Sequence, residues 1–472
     1  MLSCKPGMFR DLFETFGANS LLTALGVLTS IVIARILGPE MRGEFAVILL
    51  WSGVICTVAS FGINEGLGYF SGVISGRRWK YLYTSSIAAG VITLLFIIPM
   101  VFLVSFLMKS YSAKAVQLGM LSVGFSVFFI PQFMILQSFL QGSGLIRHLN
   151  LINLSNGLLY LLLILAIWIF FPRGSHDLGL TIIAYIGTFS ILCFVSLPVL
   201  MALKKREYQS LKEIRLLFGY AEMKNLLKYG LPVTIANLVN QASTKLDQIF
   251  LSFLASPQLI GFYAVALSTA VGIGASVLTV STIALPRITS APTIEERRSA
   301  IRKIFLSYCY SSVPIFFLTL AAVPYVVPIL FGSDFKGAVK PSQILLVGMV
   351  FAGANQLSVT ILKALGLPKY AMTCRVLALG LLAVCLCGLV PKYHIVGAAW
   401  AVVLSNFVAS IIILGLIGKE VKIKVLDMII PKKEDIKIIQ ERILQFFGVR
   451  LKLNRVYVTR SARNHKAGDG KF

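Results

Sequence analysis

The sequence predicts an all-α polytopic membrane protein of about twelve transmembrane helices, arranged as two parallel six-helix repeats around a central cavity. The chain is 57% hydrophobic and 13% charged, with a mean hydropathy of +0.85, whereas soluble domains are about 45–50% apolar and about 25% charged. Apolar runs long enough to cross a hydrocarbon core of about 30 Å recur as far as residue 418. Short motifs also recur in the two halves of the chain.

The apolar runs predict twelve spans, six before and six after a hydrophilic segment. These spans are 13–37, 43–70, 81–108, 115–139, 149–171, 178–203, 226–254, 259–286, 304–331, 338–364, 370–390 and 396–418. We therefore expect an N-terminal lobe at 1–203, a cytoplasmic linker at 204–225, a C-terminal lobe at 226–418 and a basic tail at 419–472.

Three pairs of motifs support an internal duplication. In the first pair, Pro, an acid or amide, Gly, an aromatic residue and Ala follow one another in the same frame. The spacing is 218 residues in the first and third pairs and 222 in the second, and the pairs are 37–46 with 255–264, 140–145 with 362–367, and Gly179 with Gly397. Because each half has an even number of spans, both repeats should have the same orientation in the membrane.

The distribution of basic residues predicts the orientation. With these bounds, the predicted inner segments before the tail contain 18 lysines and arginines, the outer turns contain 6, and the tail adds 14. This excess favours cytoplasmic N- and C-termini. The net charge of +25 is dispersed over many loops without a binding module, so we expect no nucleic-acid partner. The N-terminus has no short apolar region with a small-residue cleavage site, and we expect the first span to be retained.

The tail contains apolar residues at helical spacing over 436–447, interspersed with charged residues. This pattern indicates an amphipathic helix on the inner leaflet, with membrane lipids as its partner. A solvated helix without membrane contact is the alternative. The seven cysteines contain no CxxC pair and the four histidines are scattered, so neither a disulfide framework nor a metal site is predicted.

The seventh span contains the clearest candidate site. On a helical wheel its polar residues occupy one arc of nearly half the circumference, and apolar residues fill the rest. The polar residues are Asn237, Asn240, Gln241, Thr244, Lys245, Asp247 and Gln248. Polar groups are costly in lipid, so we expect this arc to line an aqueous cavity.

Within this arc, Asp247 is a candidate cation or proton site and Lys245 a candidate anion site. They cannot pair along the helix, and an interhelical ion pair is the structural alternative for each. Lys363 and Arg35 are further basic candidates, although snorkelling to the interface would also explain them. Glu14, in the inner half of span one, is a second candidate for ion coupling.

No sequence signature of an enzyme is present. The chain lacks a Ser-His-Asp set, a phosphate-cradling glycine loop and paired catalytic carboxylates. We therefore expect a transporter without a cofactor, apart from a coupling proton or sodium ion.

Several motifs resemble those of the polysaccharide-biosynthesis membrane proteins. Residues 33–40, continuing to Gly43 and Ala46, resemble the family's N-terminal signature, residues 244–248 resemble its seventh span, and residues 396–401 resemble its twelfth. This family comprises bacterial oligosaccharide flippases, which are relatives of the multidrug and toxin extruders and of the lipid II flippases. The resemblance excludes the tail.

The resemblance implies transfer of a lipid-diphosphate-linked oligosaccharide from the inner to the outer leaflet of the bacterial cytoplasmic membrane, by ion-coupled alternating access. Asp247 would be the family's acidic position and Arg35 its basic position in span one. Lys245 and Lys363 are candidates for the diphosphate, and the amides of Asn237, Asn240, Gln241 and Gln248 suit sugar hydroxyls.

The implied protein partners are a polysaccharide polymerase and other assembly proteins. Few basic residues lie deep within the first lobe, so we do not expect a strongly cationic cavity there. Two alternatives remain: an ion-coupled multidrug exporter, and a membrane glycan polymerase or ligase. The short outer turns argue against the second.

Overall fold

The computed structural model describes residues 6–171, 178–207, 218–270, 288 and 293–422, and all regular structure within them is helical. The helices are α1 (Pro6–Ala59), α2 (Ile63–Val73), α3 (Arg78–Leu107), α4 (Ala113–Gly142), α5 (Ile146–Phe170), α6 (Leu178–Glu207), α7 (Tyr220–Leu254), α8 (257–270), α9 (Ile294–Phe331), α10 (Val339–Ala364) and α11 (Pro368–Val421). Short 3₁₀ turns precede α3 and α10.

Eight of the described helices are long and apolar enough to cross a membrane: α1, α3, α4, α5, α6, α9, α10 and α11. Two of these, α1 and α11, are 54 residues long. Helix α11 contains the last two predicted spans, and α1 contains the first span and residues 43–59 of the second. Helix α7 does not reach this level because its polar residues interrupt the apolar run.

The outer turns predicted after spans one and eleven are kinks inside continuous helices. In α1 the backbone leaves helical geometry at Gly38, with φ 70° and ψ 179°, and Pro39 follows at once. Glycine tolerates this conformation, and proline suits the first position of the next helical segment. In α11 the corresponding residue is His394, with φ 48°. Residues 39–42 are therefore helical, although the sequence placed them in a loop.

Span two is interrupted, which the sequence did not predict. Helix α1 ends at Ala59 and α2 begins at Ile63. Between them Phe61 and Gly62 have φ values of 45° and 71°. The chain therefore changes direction within the predicted span 43–70, and the two helix ends face the interior of the protein.

Helix α7, the first helix of the predicted C-terminal lobe, lies at the interface with the predicted N-terminal lobe. It contacts α1, α2 and α3 of the first lobe and α11 of the second. Within the first lobe, α4 packs against α1, α2, α3 and α6, and within the second lobe α10 packs against α9 and α11.

The duplicated turn motifs meet each other across the lobe interface. A Cβ atom added to Gly43 would lie 1.7 Å from the carbonyl oxygen of Pro257, and one added to Gly261 would lie 1.9 Å from that of Pro39. Each residue of one pair is 218 positions from its counterpart in the other. This reciprocal contact is what two parallel repeats related by an axis along the membrane normal would produce. We call it the outer glycine contact, after the predicted orientation.

A second close backbone approach lies at the opposite end of α7. A Cβ added to Gly62 would lie 2.2 Å from the carbonyl oxygen of Gly230, and one added to Gly230 would lie 2.1 Å from that of Gly62. We call this the inner glycine contact. The lobes are thus in backbone contact at both ends of α7.

Some sequence predictions fall outside the described residues. They are the part of span eight after residue 270, the middle of the linker at 208–217 and the basic tail after residue 422, including the amphipathic helix at 436–447.

Candidate functional site

The polar arc of α7 faces three separate cavities. Lys245 and Gln248 line the first, of about 360 Å³. Thr244 and Asp247 line the second, of about 340 Å³. Asn237 lies on the third, of about 150 Å³. We call them the outer cavity, the second-lobe cavity and the inner cavity.

The outer cavity lies between the two lobes, next to the outer glycine contact. Helix α7 contributes Lys245 and Gln248, and α1 contributes Arg42. Tyr185 of α6 and Tyr263 of α8 complete its polar lining. Two cationic side chains from different lobes therefore border one membrane-embedded cavity, and such a cavity suits an anionic ligand.

Arg42 is held at this cavity from several sides. It is only 9% exposed, and its guanidinium carbon lies 5.6 Å from the centre of the Phe45 ring. Its Nη2 donates to Ser30 Oγ at 3.2 Å, and Ser30 and Ser268 share a hydrogen bond of 2.8 Å. Among the described residues its Nε has no hydrogen-bond partner. A buried guanidinium with an unused donor is suited to bind an oxyanion.

The second-lobe cavity surrounds Asp247 with polar groups of α10 and α11. The carboxylate is buried and accepts hydrogen bonds from the hydroxyl of Tyr263 and from the backbone N–H of Gln248, the latter at 2.8 Å. On the opposite wall, Arg375 donates to Gln356 Oε1 at 2.9 Å. Asp247 and Lys245 therefore face different cavities.

The inner cavity brings the remaining described amides of the polar arc against the first lobe. Asn237 Nδ2 donates to Glu65 Oε1 at 2.9 Å, and Gln241 Nε2 donates to Thr57 Oγ1 at 2.7 Å. Gln241 also lines this cavity. Both amides therefore bridge the lobes.

The structure places three predicted site residues away from these cavities. Arg35 is exposed, and its guanidinium donates to the backbone carbonyls of Ile329 and Leu330 near the end of α9. Lys363 is exposed near the end of α10. Glu14 pairs with Arg147, with 3.1 Å between Oε2 and Nε. The side chain of Asn240 lies outside the described part of the chain.

Sequence reasoning missed Arg42 and left Glu65 without a role. Arg42 was counted among the outer-turn cations, which implied exposure to water. Its position directly before Gly43, within the duplicated motif, was the signal that could have placed it at the interface between the repeats. Arg42 is the one cationic side chain that the described part of the first lobe contributes to the outer cavity, and the absence of a strongly cationic first-lobe cavity stays a prediction.

Comparison with known proteins identifies the family. Residues 9–292, more than half of the chain, match the family described as polysaccharide biosynthesis protein. Over 188 residues the chain is 21% identical to a protein of Shigella flexneri named as an O-antigen transporter, covering 39% of this chain and 45% of that protein. The alignment thus spans less than half the length of this relative.

Solved structures show the same fold at low sequence identity. A lipid II flippase in an inward closed conformation superposes with a TM-score of 0.71 at 13% identity, covering 94% of each chain. An inward-facing multidrug resistance transporter of the MATE family gives 0.65 at 15% identity, covering 85% of this chain and 94% of that one. The predicted all-α transporter fold is therefore confirmed.

The family match over residues 9–292 confirms the resemblance that the motifs suggested. The chain is a multi-pass membrane protein and belongs to the polysaccharide biosynthesis protein family.

Proposed function

We propose that the protein flips a lipid-diphosphate-linked oligosaccharide from the inner to the outer leaflet of the bacterial cytoplasmic membrane, by alternating access, with both termini in the cytoplasm. The observation that carries the proposal is the outer cavity, where Arg42 of one lobe and Lys245 of the other border about 360 Å³ of space. Family membership and the transporter fold support transport of a lipid-linked glycan.

Each of the two cations, one from each lobe, would bind part of a diphosphate. Arginine offers a planar fork that binds phosphate oxygens in a bidentate manner, whereas lysine acts as a point charge. Because one cation comes from each lobe, a bound diphosphate would hold the lobes together. Gln248 adds an amide that suits an adjoining sugar hydroxyl.

The two glycine contacts suggest how access would alternate. They close the interface at opposite ends of α7, with the outer and inner cavities between them. Opening the inner contact would admit the headgroup from the cytoplasmic leaflet, and opening the outer contact would release it. The lipid tail would stay in the bilayer throughout.

A leaflet-resolved assay of lipid-linked glycan tests this function. A deletion strain should accumulate lipid-linked repeat units on the inner leaflet, and the wild-type gene should restore them to the outer leaflet. Arg42→Ala and Lys245→Ala should each lower flipping by about 10- to 100-fold, because a hydrogen bond to a charged group contributes about 1.5–3 kcal/mol. Arg42→Lys should restore part of the activity, since it keeps the charge but loses the fork.

Lys336→Ala is the matched control, because this lysine is exposed at the predicted outer end and does not line the cavity. It should flip at the wild-type rate. Single repeat units displayed outside the deletion strain would indicate a polymerase instead. Increased sensitivity to cationic dyes with an unchanged glycan distribution would indicate a multidrug exporter.

A further inference from the structure

The inner cavity has a lining that neither the fold nor the proposed flipping reaction explains. It lies where α1 ends, α2 begins and α7 passes, and its volume is about 150 Å³. Its polar lining includes the carboxylate of Glu65 and the carboxamide of Asn64.

The hydroxyl groups around this cavity donate their protons to backbone carbonyl groups. Thr57 donates to the carbonyl of Gly53 at 3.0 Å, Ser60 to that of Thr57 at 2.8 Å, and Thr234 to that of Gly230 at 3.0 Å. Each hydroxyl has one proton to donate. The three oxygens therefore present only acceptor lone pairs to the cavity.

Of two further acceptors at this cavity, one lacks a hydrogen-bond donor and the other lacks a cationic partner. Asn64 is 8% exposed, and its Oδ1 has no hydrogen-bond partner among the described residues. Glu65 Oε1 accepts from Asn237 and, at 3.5 Å, from Asn64. Within the described part of the chain, no cationic side chain lies within 4 Å of this carboxylate. An unpaired carboxylate and an orphaned acceptor are both costly at such a site.

The interruption brings two helix ends with opposite dipoles to this place: the first turn of α2, which contains Glu65 and carries the positive end of its dipole, and the end of α1. Helix α1 ends at Ala59, beside Thr57 and Ser60, and the last carbonyl groups of a helix carry the negative end of its dipole. Broken helices that present carbonyl ends to a cavity are a recurring way for transporters to bind cations.

We propose that the inner cavity binds a sodium ion, with Glu65, Asn64 Oδ1 and the hydroxyl oxygens of Thr57 and Ser60 as its candidate ligands. Hard cations take oxygen ligands of this kind. Because Asn237 and Gln241 of α7 are hydrogen-bonded to Glu65 and Thr57, the ion would sit between the lobes, beside the inner glycine contact. The two carboxylates that the sequence suggested for ion coupling have other partners: Glu14 with Arg147, and Asp247 with Tyr263.

Direct binding of ²²Na⁺ to the purified full-length protein, in a choline chloride background, tests this site without reference to flipping. The wild-type protein should bind one sodium ion in a saturable manner. Glu65→Gln should weaken binding by at least about tenfold, as the loss of a charged partner implies. Asn64→Ala and Thr57→Val should weaken it less, and they keep the test decisive if Glu65→Gln fails to fold.

Glu14→Gln and Asp247→Asn are the matched controls, since each removes a carboxylate from a different place, and both should bind sodium as the wild type does. The proposal is overturned if the wild-type protein shows no saturable binding, or if Glu65→Gln binds normally. It is also overturned if Asp247→Asn abolishes binding. A failed flipping assay would leave this result unaffected, and absence of sodium binding would leave the flipping proposal standing.

Discussion

Replacing Gly43 by alanine should shift the protein toward a state that is open at its predicted outer end. The added Cβ would lie 1.7 Å from the carbonyl oxygen of Pro257, whereas ordinary contact begins near 3.4 Å. The neighbouring atom belongs to the backbone and cannot rotate away. The two helices would have to separate by about the difference, 1.7 Å.

Overpacking of this kind costs about 1–3 kcal/mol. The cost applies only to the state in which the outer glycine contact is formed. With 1.4 kcal/mol corresponding to a factor of ten, the ratio of open to closed protein should rise by about 5- to 150-fold. Gly261→Ala should act in the same direction, because its Cβ would meet Pro39 from the other side of the same contact.

Labelling of a cysteine in the outer cavity measures this shift. Ala46→Cys places a thiol on the cavity wall, and a membrane-impermeant maleimide applied to right-side-out vesicles should label it in proportion to the open fraction. Gly26→Ala is the control, since an added Cβ there has no atom within 4 Å. Combining Gly43→Ala with Gly261→Ala should give less than the sum of their effects, because both act on one contact. Unchanged labelling in a well-folded Gly43→Ala protein would refute the assignment of this contact as the outer closure.

Two further predictions concern stability. Glu222, just before span seven, forms an ion pair with Lys80 at 2.7 Å. Burial raises the pKa of Glu222, but the hydrogen bond and the charge of Lys80 outweigh burial, so the pKa lies below its ordinary value. The pair's stabilisation is about 1 kcal/mol or less. It is present above the ordinary glutamate pKa and is lost as the pH falls through the lowered value. Glu222→Gln should therefore flatten the fall in thermal midpoint as the pH is lowered from neutral to about 3. Tyr263→Phe should lower the thermal midpoint more than Asp247→Asn, because the loss of the tyrosine hydroxyl leaves the buried carboxylate of Asp247 with one donor fewer. Equal losses would contradict this reasoning. Adding Asp247→Asn to Tyr263→Phe should recover part of the loss.

The polar face of α7 could be predicted from the sequence because a helical wheel identifies which side chains share a face. The wheel gives directions from the helix axis, but it contains no information about which neighbours lie there. Asp247 and Lys245 were therefore assigned to one cavity, whereas the packing of α8, α10 and α11 places them in two. The burial of Arg42 was hidden for a related reason: a Gly-Pro pair is typical both of a surface turn and of a kink in a buried helix.

The interruption of span two was harder to predict. Residues 60–62 lie in an apolar run whose composition permits a continuous helix, and the positive φ of Phe61 depends on tertiary contacts. Gly62 is needed there because the backbone of Gly230 approaches it closely. This contact joins residues 168 positions apart, and local periodicity does not report contacts at that separation.

The charges along α7 suggest how the two proposed sites would act on each other. Asn237, bonded to Glu65, and Lys245 are eight residues apart, which corresponds to about 12 Å along a helix. An anionic headgroup entering through the inner end would meet Glu65 before it reached Arg42 and Lys245. A sodium ion at Glu65 would remove this repulsion and, across about 12 Å at an effective dielectric constant of about 20, would contribute about 1.4 kcal/mol per unit of phosphate charge.

Sodium should therefore raise the affinity for the substrate about tenfold for each unit of phosphate charge, or about 100-fold for a doubly charged diphosphate. The substrate should raise the affinity for sodium by the same factor. Comparing the substrate affinity in sodium buffer with that in choline buffer measures this coupling. Glu65→Gln should remove the dependence on sodium while keeping much of the affinity, because it removes the repulsion together with the ion. A sodium effect that survived in Glu65→Gln would place the coupling elsewhere.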